Sequence, residues 1–153
     1  MYRLVASVSL LLCVMCVTRV ASQGTTIPLV SAQDSLGPHL ETGCSGGVTG
    51  GGGGVTVTEN GGFYSWSQPR HVSSERELTL LHSDSAQAAA LFSAALERGL
   101  TRVEFSEPSN MTCFLSLERG DQHYEVAWPY GTTPRKIRKL VELANEIQEA
   151  AKR

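Results

Sequence analysis

The stretch from Gly43 to Gln68 constrains this chain more than any other. It reads Gly-Cys-Ser-Gly-Gly-Val-Thr-Gly and continues through Gly51–Gly54, a run that carries almost no side chain. Glycine offers no apolar surface and loses more backbone freedom on ordering than any other residue. Such a run therefore needs a close neighbour or a partner to hold it. Immediately after it, Val55 and Val57 alternate with Thr56 and Thr58, and Phe63, Tyr64 and Trp66 follow Asn60-Gly61. Asn-Gly between β-branched and aromatic runs predicts a hairpin with strands over 55–59 and 62–67, because both turn residues accept positive φ.

The N-terminus sets the compartment. Arg3 precedes an apolar run from Leu4 to Val17, and Val20-Ala21-Ser22 supplies a small-residue cleavage site. Residues 1–22 read as a signal peptide cut after Ser22, since the run is too short to span a bilayer. Removing those 22 of the 153 residues leaves 131, the size of one ordinary domain. Two of the 13 basic residues leave with it, so 11 basic side chains face 15 acidic ones, a net charge of −4. That balance argues against nucleic acid and anionic membrane as principal partners. Cys13 and Cys16 leave as well, so Cys44 and Cys113 remain as one even pair, expected as a disulfide in a secreted or periplasmic protein. Closing a loop of roughly 70 residues contributes about 4 kcal/mol on the chain-entropy argument. Two unpaired buried thiols are the other reading of the same pair.

The remaining pattern is that of an α+β domain. Residues 23–38 are polar and non-periodic, a flexible leader, and 39–153 form a single domain. His39–Cys44 is expected as a short strand, and Leu78, Leu80 and Leu81 as a short strand or the lead into a helix. Asp84 with Gln87 opens a predicted helix over 84–98, whose face is Ala88, Leu91, Phe92 and Ala95 and whose cap is Gly99. Leu100–Phe105 is expected to be extended. Cys113, Leu115 and Leu117 alternate up to a turn at Arg119-Gly120-Asp121, and Tyr124, Val126 and Trp128 alternate on the return. Thr133 and Pro134 suit the N-cap and first turn of a last helix reaching about Ala151, with Ile137, Leu140, Val141, Ala144 and Ile147 on one stripe. The sum is an antiparallel sheet of four to five strands with two helices packed on one face.

No catalytic set emerges. Gly43-Cys44-Ser45-Gly46-Gly47 spells a nucleophile elbow, but that turn requires a helix at once after it, and glycine follows. The glycine run is followed by neither the Lys-Ser/Thr of a phosphate loop nor a helix, and Gly50–Gly54 read as a flexible loop or a bulged strand. His39, His71, His82 and His123 are scattered without metal-ligand spacing. Arg119-Gly120-Asp121 spells an integrin-type tripeptide whose first task is to turn the chain. No enzyme activity, cofactor or metal is expected. Asn110-Met111-Thr112 is an acceptor sequon, making Asn110 a candidate glycosylation site. Arg135, Lys136, Arg138 and Lys139 crowd the start of the last helix against its dipole, either as a solvated face or toward an acidic partner. Trp66, Trp128 and Tyr130 are either core aromatics or interface anchors. Gly46, Gly47, Val48, Thr49 and Gly50 read either as a linker or as a recognition loop offering its backbone to a partner protein.

With those residues in view, the chain resembles the emfourin family, small bacterial proteins that include protealysin-associated inhibitors of thermolysin-like (M4) metallopeptidases. The resemblance lies in Ser45-Gly46-Gly47-Val48-Thr49-Gly50, the strand and turn from Val55 to Phe63, and the Leu/Ala-rich helix after it. It continues through Phe114-Leu115-Ser116-Leu117, Val126-Ala127-Trp128 and the Pro-initiated helix Pro134–Leu143, spanning roughly residues 42–150. Val48 stands where the family often has an aromatic, and the glycine run, signal peptide and cysteine pair are departures from it. The resemblance implies a secreted, non-enzymatic inhibitor of a metallopeptidase that contacts its target through the glycine loop and adjoining hairpin. Without the resemblance, the same composition fits a secreted or envelope-associated structural or interaction domain with no protease target.

Overall fold

The computed structural model describes residues 36–48, 50–68 and 77–153. The expected signal peptide, most of the expected leader, Thr49 and the segment 69–76 with His71 lie outside the described residues. Strands β1 (His39–Gly46), β2 (Gly51–Thr58), β3 (Gly62–Gln68) and β4 (Glu77–Ser83) run as an antiparallel meander. Helix α1 (Ser85–Glu97) leads to β5 (Phe105–Ser106) at the opposite edge. β6 (Met111–Arg119) and β7 (Gln122–Pro129) follow, then a 3-10 turn (Arg135–Ile137) and α2 (Arg138–Ala150). The seven strands form one sheet in the order β4-β3-β2-β1-β6-β7-β5.

The class is α+β with two helices, but the sheet is larger than the expected four to five strands and it is mixed. β5 pairs parallel to β7 through Phe105–Val126 and Ser106–Ala127. Two residues are too short a run to show an alternating pattern. The segment before them is not extended as expected. Gly99 (φ 87°) closes α1 with two backbone bonds, Leu100 N–H to Ala95 O at 3.0 Å and Gly99 N–H to Leu96 O at 3.1 Å. This is a Schellman motif, and Arg102 and Val103 then donate back to Gly99 O, curling the chain.

One face of the sheet carries the apolar core. Leu40, Thr42 and Cys44 of β1 lie opposite Leu117, Leu115 and Cys113 of β6, so their side chains share a face. Val55, Val57, Phe63, Val126 and Trp128 extend that face. Ala88, Leu91, Phe92 and Ala95 of α1 and Leu140, Val141, Leu143, Ala144 and Ile147 of α2 join them in a single buried cluster. Asp84 caps α1 as its sequence predicts, accepting from Gln87 N–H at 2.9 Å.

The last helix starts later than expected. Pro134 is extended (φ −60°, ψ 132°), Ile137 N–H donates to Pro134 O at 3.1 Å, and regular α-helix begins at Arg138. Thr133 is therefore not its N-cap; no side chain caps either the 3-10 turn or α2.

The glycine run, read from the sequence as a flexible loop or a bulged strand, is strand: Gly51–Gly54 pair with β1, and Gly52–Gly54 pair with β3 as well. The cause lies on the other face of the sheet. Phe114, Gly43, Gly54 and Trp66 occupy one row across β6, β1, β2 and β3. The two rings meet over the glycines with centroids 6.0 Å apart. A Cβ on Gly54 would fall against Thr42 O and 2.7 Å from Trp66 Cε2, and one on Gly43 would come 2.5 Å from Gly53 O. Glycine is required there so that aromatic rings can cover bare backbone. Trp66 is consequently 3% exposed. Beside it Thr56 donates to the buried Glu41 carboxylate at 3.4 Å.

Candidate functional site

The candidate contact residues sit at the tip of the β1–β2 hairpin. Gly46 pairs with Gly51 in the last rung, and Gly50 N–H donates to Gly47 O at 3.1 Å to close the loop. Gly46 (φ 106°) and Gly47 (φ 82°) take the left-handed backbone that lets so short a connection reverse. A Cβ on Gly46 would collide with Asn110 O, and Gly47 N–H donates to that same oxygen. The tip therefore rests on the segment entering β6. Thr49, the fourth of the expected contact residues, lies outside the described residues.

Two rows below the tip, Cys44 and Cys113 are directly opposed and joined by a disulfide, with Cα atoms 3.9 Å apart. The bond links strands 69 residues apart in the chain, next to the place where the loop leaves the sheet. Sequence reasoning paired these cysteines correctly.

Three large apolar side chains among the described residues reach solvent at this end. Val48 is 95% exposed, and Met111 and Tyr130 are exposed nearby on two other segments. Tyr130 N–H donates to Met111 O at 2.9 Å, and Met111 Cε would lie 3.5 Å from a Cβ on Gly47. Three chain segments thus converge on one end of the sheet: 47–48, 110–111 and 130. Of the three aromatics that could have served as anchors, Trp128 is in the core, Trp66 is buried on the opposite face of the sheet, and Tyr130 is at the surface, 65% exposed. Met111 was missed in the sequence because its role depends on register with Gly46 across two strands.

Asn110 is exposed at this same end, in the turn before β6. The Thr112 hydroxyl of its sequon donates to Ser109 O at 3.0 Å and accepts from Ser109 N–H at 2.9 Å.

The other chemically suggestive residues lie elsewhere and have local partners. His39 is buried with Nδ1 2.8 Å from Gly37 O. His82 stacks on Phe63 at 4.4 Å and approaches Ala150 O, while His123 pairs with Glu118. Among the described residues no group of three or more His, Cys, Asp or Glu side chains is placed to hold a metal ion. Arg119 pairs with Glu59 at 2.7 Å, and Gly120-Asp121 forms the two-residue turn between β6 and β7. In the basic cluster, Arg138 approaches Glu142 at 3.6 Å and Lys136 donates to Glu104 O at 3.1 Å. No helix among the described residues is long and apolar enough to cross a membrane.

Set against models of protein families and against curated proteins, the chain matches none.

Proposed function

We propose that this is an exported, non-enzymatic binding protein that inhibits a thermolysin-like metallopeptidase by forming a stable complex through the β1–β2 tip. The observation that carries the reading is Val48, 95% exposed on a loop held from both sides. A disulfide fixes the strand leading into the loop, and a backbone bond fixes Gly47 to Asn110. An apolar side chain held out on a pre-ordered loop binds with little ordering cost. Met111 and Tyr130 extend the contact surface around it. The same restraints oppose cleavage, because a peptidase takes its substrate as an extended strand and this loop is closed by the Gly46–Gly51 rung. The resemblance in the glycine segment, the second hairpin and the last helix names the class of target.

Mixing the disulfide-bonded protein with thermolysin-like peptidases tests the reading. At micromolar excess, peptidase activity should fall and the protein should remain uncleaved. Val48→Asp should weaken inhibition by about a hundredfold, in the range of a buried interface anchor. A panel of such peptidases left fully active would overturn it.

A second reading, an envelope-associated interaction domain without a protease target, is favoured by the edge strand β4. Its Leu80 and Leu81 are 55% and 44% exposed. Recovery of envelope components, with no peptidase, on the immobilised protein would support that reading over the first.

A further inference from the structure

Beside the tip, a groove of about 310 Å³ lies between the helix-side face of the sheet, the chain after β7, and α2. Its floor is apolar: the Cys44–Cys113 disulfide, the buried Trp128 and Val141. Its rim is polar and neutral, formed by Tyr130, Thr133, Asn145 and Gln148. Among the described residues these four side chains make no hydrogen bond within the protein, whereas the adjacent Thr132 hydroxyl is used internally, donating to Pro129 O at 2.7 Å. None of the lining residues is charged.

We propose that this groove binds a neutral saccharide of one or two rings. A carboxamide both donates and accepts, so Asn145 and Gln148 can each serve a pair of adjacent hydroxyls, and the Tyr130 and Thr133 hydroxyls do the same singly. The exposed Tyr130 ring offers a flat apolar surface to the C–H face of a pyranose, with Trp128 and the disulfide beneath. The volume is at the lower end of small-ligand sites. The neutral lining disfavours anions and cations, whose desolvation nothing here would offset. It also disfavours an extended peptide: the strands beneath, β1 and β6, have both edges already paired, leaving no main-chain partner. The groove shares Tyr130 with the inhibitory surface, but the inhibitory reading rests on Val48, which does not line the groove.

Titration of the intact, disulfide-bonded protein with glucose, galactose, N-acetylglucosamine, maltose, cellobiose and chitobiose, followed by NMR shifts and tryptophan fluorescence, tests it. At least one of these sugars should bind saturably and shift the resonances of Tyr130, Asn145 and Trp128. Tyr130→Ala and Asn145→Ala, both at exposed positions, should each weaken binding by about tenfold, the worth of one well-formed contact. Val48→Asp should leave sugar binding unchanged, which separates this site from the inhibitory tip. No saturation with any of the six sugars would overturn the proposal. So would saturable binding that Tyr130→Ala leaves intact, or binding of short peptides in their place.

Discussion

The β6–β7 and β1–β2 hairpins lie side by side in the middle of one sheet and are built on opposite principles. β6–β7 is made of side chains. Leu115 faces Val126 and Cys113 faces Trp128, all of them buried, and a two-residue turn joins the strands. Cross-strand pairs of this kind are what ordinarily stabilise a sheet. β1–β2 has glycine on both strands near its tip, with Gly43 opposite Gly54 and Gly46 opposite Gly51. Its order there is supplied by neighbours: two aromatic rings from β3 and β6, a disulfide to β6, and the backbone of Asn110. A hairpin held from outside leaves its tip free to carry a contact residue that has no structural duty.

That contrast can be broken in order of severity. Leu115→Ala removes a fully buried side chain from β6 and should cost about 3–5 kcal/mol in chemical denaturation, since the surrounding strands cannot collapse onto the cavity. Removing the disulfide with Cys44→Ala and Cys113→Ala together should cost about 2–4 kcal/mol. Hydrogen exchange at the Gly47 amide should accelerate in the same variant, because the β1–β2 tip relies on that bond. Gly54→Ala should cost about 2–3 kcal/mol, as the added methyl overlaps backbone and the Trp66 ring. A comparable loss from so small an addition is not expected at an exposed site of β7 such as Glu125. Arg119→Ala, which breaks an exposed ion pair with Glu59, should cost about 0.5 kcal/mol. Val48→Asp should change stability by less than about 0.5 kcal/mol while weakening inhibition by about a hundredfold. If Val48→Asp instead destabilised the fold substantially, the tip would be structural and the contrast between the hairpins would fail.

Apart from the Cys44–Cys113 pair, which cysteine counting gave, what could be read from the sequence was whatever is decided within a few residues. The Asp84 cap, the Gly99 terminator and the alternation from Cys113 to Trp128 are local signals, and each has its counterpart in the structure. Gly51–Gly54 stayed open between a loop and a bulged strand because glycine has no periodicity, and what decides for a strand, the covering by Trp66 and Phe114, comes from other strands. The start of α2 was misjudged because Thr133-Pro134 reads as a capped helix, whereas Pro134 adopts extended ψ and a 3-10 turn intervenes. Val48 and its glycines were singled out as a contact, but their neighbours Met111 and Tyr130 were not joined to them. The groove was invisible for the same reason. Asn145 and Gln148 look like ordinary solvated positions of an amphipathic helix until the chain after β7 is seen folded beside them.

The first strand of the domain is also the centre of the sheet, and this ties assembly to the order in which the chain emerges. β1 can pair at once with β2, but its other edge waits for β6, which arrives some seventy residues later. A chain delivered N-terminus first must therefore carry an open strand edge in its interior until nearly all of it has appeared, a slow and aggregation-exposed arrangement. The upstream half cannot lock prematurely into a finished body. The sheet closes through its middle only when β6 has arrived.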